Sequence, residues 1–322
     1  MTTSDPDPVP RTLTGALPAL VTPLTDPTTL DLEAVAALVR RALSDGASGV
    51  LVAGSTGEGS LLAPDQRAAV TALARDAIDA LPDDDVARAV TRGSAAQTRR
   101  PVLVAGASGP GLASLQADVA RLAAAGADLV LVLPPSVQPL TPDELSDLHL
   151  AVADACELPT LLYHIPQLTG SSLTPSHVQR LARHDRIVGM KDSSPQADRR
   201  AAFVAATRQV DGFSVLTGHA PTLAAALAAG VDGSITAVAN VRLRQVLALH
   251  RAAAEGDVAE VARLQEALTR LSQGIGEVGV SVPAVLKAVL QFDGVLAERW
   301  CTPPLRSVAP GRLDHVRTAL LR

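Results

Sequence analysis

Residues 186–194 read RIVGMKDSS, an apolar run that ends in a lysine and then in small polar residues. The run over Ile187–Met190 is not broken by alternating polar residues, which is typical of a parallel strand buried on both faces. Seven further runs of this kind occur along the chain, separated by segments with helical spacing of apolar residues. They are GALPALVTPL (15–24), GVLVAG (49–54), VLVAGA (102–107), LVLVLPP (129–135), PTLLYHIP (159–166), FSVLTGH (213–219) and GSITAV (233–238).

Eight strand–helix units predict a (β/α)8 barrel, the TIM-barrel fold, over residues 13–240. An open, doubly wound sheet is the alternative, but eight similar units without a dinucleotide-binding glycine motif favour the closed barrel. Strand patterns stop after residue 255, and three later segments have the spacing of helices. We therefore expect residues 241–322 to contribute C-terminal helices that pack on the barrel; the three segments are 257–273, 281–292 and 310–321.

Two polar segments fall outside this pattern. Residues 1–12 are polar and proline-rich, and we expect them to form a flexible N-terminal tail. Residues 81–100 form a long, charged stretch between the second helix and the third strand. Because this connection lies on the side of a barrel away from its active site, we predict a surface excursion there.

Charge and composition exclude several classes of protein. The formal net charge is −5 and the chain has no basic block, so nucleic acid is not an expected partner. No apolar run approaches the ~20 residues needed to span a bilayer, and the N-terminus does not resemble a signal peptide, so we expect a cytoplasmic protein without membrane contact. Cys156 and Cys301 show no metal-binding spacing, and we expect two buried, reduced thiols and no metal site.

Lysine is rare among the basic residues of this chain. Of 28 lysine and arginine residues only two are lysines, Lys191 and Lys287. Arginine stays charged and is a poor nucleophile, whereas an amine at the C-terminal end of a barrel strand can attack a ketone and form a Schiff base. The position of Lys191 therefore indicates a chemical role, with chance placement in an arginine-rich chain as the alternative. Lys287 lies in the predicted C-terminal helices, and we interpret it as structural.

Other strand ends supply candidate partners for this amine. The segment GSTGE (54–58) offers glycines, hydroxyls and backbone N–H groups that suit a carboxylate or phosphate, although such a segment can also be only a tight turn. Tyr163 is the single tyrosine and could relay a proton, or it could be an ordinary core residue. His219 is a candidate substrate contact, whereas His164 points away from Tyr163 on a regular strand and is expected to be packed.

Together these segments resemble the dihydrodipicolinate synthase / N-acetylneuraminate lyase family of Schiff-base aldolases. The resemblance runs from about Leu13 to Arg322, and its motifs stand in the order that the family has. They are GALPALVTPLT (15–25), GSTGEGSLL (54–62), LLYHIPQLTG (161–170), GMKDSS (189–194), AGVDGSITAVANV (229–241) and SVPAVLKAVL (281–290). The resemblance implies a barrel with a helical C-terminal domain, a homo-oligomer (tetramer or dimer), and a lyase with no cofactor other than the covalent lysine imine.

The resemblance also implies roles for individual residues. Lys191 would form the imine with the keto carbon of pyruvate or another 2-keto acid, Tyr163 would shuttle a proton, and Thr56 would assist catalysis. The partners would be a small 2-keto acid and an aldehyde. The implied substrate-binding residues are Ser55, Thr56, Gly57, Gly218, His219 and Ile235.

Two departures bear on the substrate. Where synthases of lysine biosynthesis have an arginine that binds the carboxylate of the aldehyde substrate, this chain has Leu168, and where they have a loop tyrosine it has Ser136. We therefore expect a lyase acting on a 4-hydroxy-2-oxo acid or a 2-keto-3-deoxy sugar acid, by cleavage, condensation or dehydration. The alternatives are the lysine-pathway synthase itself and, from another class, a non-catalytic regulatory protein that binds a keto acid.

Overall fold

The computed structural model describes residues 13–82 and 100–320. The predicted tail at 1–12 lies outside the described residues, and so does most of the predicted excursion at 81–100.

Eight parallel strands form the centre of the fold, as predicted. They are β1 (Gly15–Pro18), β2 (Gly49–Val52), β3 (Val102–Ala107), β4 (Leu129–Val132), β5 (Thr160–His164), β6 (Ile187–Asp192), β7 (Ser214–Thr217) and β8 (Gly233–Thr236). Hydrogen-bonded neighbours follow the order β1-β8-β7-β6-β5-β4-β3-β2. The chain just after β1 returns to β2, where Leu20 N donates to Leu51 O at 2.9 Å, and this short contact completes a barrel rather than an open sheet.

Helices cover the outside of the barrel between successive strands. They are α1 (Leu32–Ser44), α2 (Pro64–Asp79), α3 (Leu112–Ala124), α4 (Pro142–Ala155), α5 (Pro166–Thr169), α6 (Pro175–Leu181), α7 (Ala197–Thr207), α8 (Leu223–Ala228) and α9 (Ala239–Glu255). Helix α4 begins with a capping box formed by Thr141 and Glu144. Thr141 N donates to the Glu144 carboxylate at 2.8 Å while Glu144 N donates to Thr141 Oγ1, so two N–H groups at the helix start are satisfied.

Three helices follow the barrel, which confirms the helices that the apolar spacing after residue 255 predicts. They are α10 (Val258–Glu277), α11 (Val282–Phe292) and α12 (Leu313–Leu320). Since α9 runs across residue 240, the helical extension itself starts after the eighth barrel helix. Among the described residues no single helix is long and apolar enough to cross a bilayer; α10 and α11, bent at 109°, meet such a test together, by length and composition only.

Apolar side chains fill the interior of the barrel. Every strand contributes at least one residue to a buried inner cluster, so the barrel interior is a packed core. A second apolar layer lies between the strands and the surrounding helices. The inner residues on the strands are Leu17, Leu51, Val102, Val104, Leu129, Leu131, Leu161, Tyr163, Val188, Leu216 and Ile235.

Candidate active site

Strand β6 contains a β-bulge that determines where Lys191 points. The register between β5 and β6 slips by one residue between Ile187 and Gly189. On a regular strand Lys191 would share a face with Ile187, whose side chain packs outward toward the helices. The additional residue, Val188, reverses the alternation, so that Lys191 lies beside Tyr163 on the inner face.

The glycine of GMKDSS makes this bulge possible. A Cβ atom on Gly189 would lie 2.5 Å from the backbone oxygen of Ser214 on β7 and 3.0 Å from a methyl group of Leu161. The backbone oxygen cannot move aside without parting two paired strands. Glycine is therefore required by the close approach of β7 to the bulge.

The amine, the phenol and a hydroxyl meet at the barrel mouth. Lys191 is only 4% exposed, and its Nζ lies 4.6 Å from the centre of the Tyr163 ring. In the part of the chain that the structure describes, Lys191 forms no ion pair, and the neighbouring Asp192 pairs with His164 and Arg200 instead. Ser55 Oγ donates a hydrogen bond to the Tyr163 phenol oxygen at 3.3 Å. The three residues, from the ends of three different strands, are therefore brought together as the sequence predicts.

The turn after β2 leaves its central amides unpaired. Ala53 (φ +51°) and Glu58 (φ +60°) both have left-handed backbone, which costs a non-glycine residue about 1 kcal/mol each. Within the described residues, the N–H groups of Ser55, Thr56 and Gly57 donate to no acceptor. Consecutive free amides with two hydroxyls beside them can bind a carboxylate. The strained backbone is thus consistent with a binding turn, where strain is often retained.

Buried polar side chains donate hydrogen bonds to the carbonyl groups of this turn. Thr22 Oγ1 donates to Gly57 O at 2.6 Å, and the Arg67 guanidinium donates to Gly59 O at 2.9 Å. Arg67 is itself buried and paired with Asp118 at 2.7 Å. The carbonyl groups are therefore anchored while the amides of the turn remain available.

Of the other predicted site residues, Gly218 lies against Lys191, and Ile235 lies in the barrel interior. A Cβ atom on Gly218 would lie 2.9 Å from Lys191 Cε and 2.0 Å from Ser193 Oγ, so glycine leaves the space that the lysine occupies. Gly218 N also donates to Asp192 O at 2.7 Å, which ties the end of β7 to the lysine strand. Ile235 is fully buried and belongs to the inner apolar cluster.

His219 joins a different group of residues. Its Nδ1 lies 2.9 Å from Thr222 Oγ1, and Thr222 Oγ1 accepts a hydrogen bond from Arg200 at 2.9 Å. Burial, followed by the positive charge of Arg200, lowers the pKa of His219 below its ordinary value, against the opposing effect of Asp192. The structure places this imidazole on the hydrogen-bond network behind β6, and the predicted substrate contact stays a prediction.

That network was not predicted from the sequence. Asp192 lies on the outer face of β6, directly after the lysine, and its carboxylate contacts His164 Nδ1 at 2.7 Å and Arg200 Nε at 2.9 Å, with all three side chains fully buried. Burial acts to raise the pKa of Asp192, but the hydrogen bond from His164 and the charge of Arg200 outweigh it and hold the pKa below its ordinary value. His164 also packs edge-on against Phe203, which confirms the expected packed histidine.

The two cysteines lie in the protein interior. Cys156 and Cys301 are free and buried, as expected, and burial raises the pKa of Cys301 to about 11. No group of three or more histidine, cysteine, aspartate or glutamate side chains among the described residues is arranged to hold a metal ion. The groups that the mouth offers are an amine, a phenol, hydroxyls and free amides.

Comparison with known proteins agrees with this geometry. The chain matches the dihydrodipicolinate synthetase family over residues 12–81 and 86–321. It is 36% identical over 287 residues to a 4-hydroxy-tetrahydrodipicolinate synthase of Xanthomonas axonopodis pv. citri, with 88% of this chain and 86% of that protein covered. It is 28% identical over 312 residues to a probable 2-dehydro-3-deoxy-D-pentonate aldolase of Escherichia coli, with 96% and 97% covered.

A solved structure shows the same likeness in three dimensions. A prophage protein of the dihydrodipicolinic acid synthase family from Escherichia coli, determined in complex with pyruvate, superimposes with a TM-score of 0.83 at 27% identity and covers 96% of this chain and 97% of its own. The family match spans almost the whole chain, and the barrel carries the lysine, the tyrosine and the turn at one rim. The chain therefore belongs to the dihydrodipicolinate synthetase family and is a lyase of that family.

Proposed function

We propose that the protein is a class I lyase in which Lys191 forms a Schiff base with pyruvate or with a larger 2-keto acid that contains the pyruvate unit. The observation that carries this proposal is the placement of the Lys191 amine, 4.6 Å from the Tyr163 ring, at the barrel mouth that also holds Ser55. No cofactor is needed beyond the covalent imine, because the protonated imine itself withdraws electrons from the neighbouring carbon.

In the cleavage direction the amine of Lys191 attacks the keto carbon and water leaves, giving the protonated imine. The substrate carboxylate is bound by the amides and hydroxyls of Ser55 and Thr56 and by the amide of Gly57. Tyr163 relays the proton from the 4-hydroxyl group as the bond between the third and fourth carbons breaks. The bonding electrons pass into the imine as an enamine, the aldehyde leaves, protonation regenerates the imine, and water releases pyruvate.

Two positions near the mouth bear on the aldehyde partner. Leu168 lies on α5, immediately beyond the tyrosine strand, and is 63% exposed; Ser136, in the loop after β4, is also exposed. Neither can form an ion pair with a second carboxylate. We therefore propose a neutral hydroxyaldehyde, so that the full substrate is a 4-hydroxy-2-oxo acid or a 2-keto-3-deoxy sugar acid. The Escherichia coli relative, a probable 2-dehydro-3-deoxy-D-pentonate aldolase, supports this choice.

The second candidate is 4-hydroxy-tetrahydrodipicolinate synthase. It is favoured by the 36% identity to the Xanthomonas axonopodis enzyme of that name. Condensation of pyruvate with an amino-acid semialdehyde, compared with condensation with glyceraldehyde, separates the two candidates. Leu168→Arg provides a matched variant, since a cation at this position should improve turnover of the charged aldehyde and leave that of the neutral one lower or unchanged.

The direct test is pyruvate release from a panel of 2-keto-3-deoxy acids. We expect turnover of at least one member and no turnover by Lys191→Arg, which keeps the positive charge but cannot form an imine. Pyruvate binding by calorimetry without turnover of any panel member or semialdehyde would instead indicate a non-catalytic keto-acid-binding protein.

We also propose that the enzyme is cytoplasmic and assembles as a homotetramer or homodimer, as its family resemblance implies. Light scattering on the purified protein measures the assembly directly, and a monomer at working concentration would contradict it.

A further inference from the structure

A buried ion pair joins the keto-acid turn to the C-terminal helices. Glu58, the last residue of GSTGE, is 2% exposed, and Lys287 of α11 is fully buried. Lys287 Nζ lies 2.5 Å from Glu58 Oε1, while Nζ donates a hydrogen bond to Trp300 O at 2.6 Å. The other carboxylate oxygen of Glu58 accepts a hydrogen bond from Thr302 N at 2.5 Å. Three separate segments of the chain therefore meet at one glutamate.

Each partner depends on the other. Two charges buried in this way are stable only as a pair, because removal of one leaves an uncompensated charge in the interior. Lys287 Nζ is the cation that compensates the buried Glu58 carboxylate, at 2.5 Å from Oε1, so the carboxylate loses its charge partner when Lys287 is replaced. Replacing Lys287 should thus move or release the Glu58 side chain.

The position of Glu58 is transmitted to the free amides through the backbone. Its φ of +60° is a left-handed conformation that glutamate does not adopt readily. Glu58 N donates to Ser55 O at 3.1 Å, and Glu58 O accepts from Leu61 N at 2.8 Å, so the strained residue closes the turn on both sides. The side-chain anchor therefore stabilises the backbone shape that leaves the amides of Ser55, Thr56 and Gly57 unpaired.

We infer that Glu58 and Lys287 are positioning residues for the keto-acid carboxylate, and that the C-terminal helical unit is required for substrate affinity as well as for folding. This inference rests on the proposed function, in which the turn binds the carboxylate of pyruvate. The second of the two lysines in the chain then serves the same reaction as the first, at a distance and without contact with substrate.

A purely structural ion pair would behave differently. It would change the fraction of folded protein but leave the affinity of each folded molecule for pyruvate unaltered. A positioning pair changes the pyruvate concentration that half-saturates imine formation, while the limiting rate of imine formation changes much less. The ratio of these two effects distinguishes the roles.

The experiment uses borohydride trapping of the full-length enzyme over a range of pyruvate concentrations, with thermal unfolding measured in parallel. Glu58→Gln keeps the shape of the side chain and an acceptor for Thr302 N but removes the charge. The double variant with Glu58→Gln and Lys287→Met removes both charges, and such a neutral replacement of a buried pair commonly retains stability. Leu268→Ala in the buried core of α10 is the control, since it destabilises the C-terminal helices and leaves both charges of the pair in place.

We expect the half-saturating pyruvate concentration to rise about tenfold or more in both charge variants, the effect of losing about one charge-assisted hydrogen bond. The limiting trapping rate should fall less than the affinity, and Leu268→Ala should lower the melting temperature but not the affinity. A folded double variant with wild-type affinity would overturn the inference and leave the proposed function intact, even if Glu58→Gln fails to fold. Absence of trapping in the wild type would refute the proposed function, and this inference with it.

Discussion

The bulge at Gly189 offers a severe test of how the fold positions the reactive amine. In Gly189→Ala the new methyl group would lie 2.5 Å from the backbone oxygen of Ser214, well inside a normal contact. Strands β6 and β7 must separate locally by roughly 1 Å, and such overpacking costs about 1–3 kcal/mol. Lys191 follows two residues later, and a displacement of about 1 Å at a reacting group can lower the rate about 100-fold.

The assay is the rate of borohydride trapping at saturating pyruvate, with calorimetric melting on the same samples. We expect Gly189→Ala to remain folded, to melt a few degrees lower, and to be trapped at least about tenfold more slowly. Gly276→Ala is the matched control, because no heavy atom outside its own helix lies within 4 Å of the added methyl group in α10. This control should gain up to about 1 kcal/mol of stability and trap normally. A stable Gly189→Ala variant that traps at the wild-type rate would refute the role given to the bulge.

Three further substitutions test other parts of the account. Gly218→Ala places a methyl group 2.9 Å from Lys191 Cε and 2.0 Å from Ser193 Oγ, so it should slow trapping about tenfold or more in protein that remains folded; normal trapping would show that the lysine does not need this space. Arg200→Met leaves Asp192 charged, buried and without its cation, so the free energy of unfolding in urea should fall by about 3–5 kcal/mol. A fall of less than about 1 kcal/mol would contradict a tightly coupled pair. Burial lowers the pKa of His149 from 6.5 to about 4. Because the unfolded chain therefore binds a proton at higher pH than the folded one, the free energy of unfolding falls as the pH drops from 6.5 to 4, by about 3 kcal/mol at the lower end. His149→Leu should remove this part of the acid sensitivity, measured by urea unfolding at about pH 7 and about pH 4.5.

The barrel was predictable from the sequence because each strand is buried on both faces. Such strands appear as continuous apolar runs, and eight of them separated by helical spacing have few other arrangements. The C-terminal helices were predictable for a related reason, since their apolar spacing continues after the strand runs stop. The division of the fold at residue 240 followed the end of the strand pattern, whereas α9 continues the eighth unit to Glu255.

The reactive residues were predictable by position, but their orientation was not. The end of an apolar run places Lys191 at the rim, yet regular alternation along β6 would turn it outward with Ile187. Only the register slip at Val188 brings it to the inner face, and a single extra residue of this kind leaves no mark in hydrophobic spacing. Strand β5 alternates regularly up to its end, so the parity that predicted His164 to point away from Tyr163 holds: Tyr163 lies in the inner cluster and His164 packs on the outer side.

The supporting polar groups depend on contacts between distant segments. The buried Arg200 lies in a helix whose charged residues are typical of an exposed helix. The neighbouring sequence therefore does not predict its ion pair with Asp192. The pair between Glu58 and Lys287 joins the second strand end to the C-terminal helices. Lys287 was interpreted as structural from its location in a helix, and its link to the turn emerges only when the chain is folded.

The central claim is that the amine of Lys191 forms an imine with pyruvate. Because the chain has only two lysines, borohydride reduction in the presence of pyruvate, followed by proteolysis and mass mapping, can locate the adduct without ambiguity. The account predicts one reduced pyruvate adduct per chain, on Lys191, and none on Lys287. An adduct on Lys287 or on the N-terminal amine alone, or one that persists in Lys191→Arg, would contradict it.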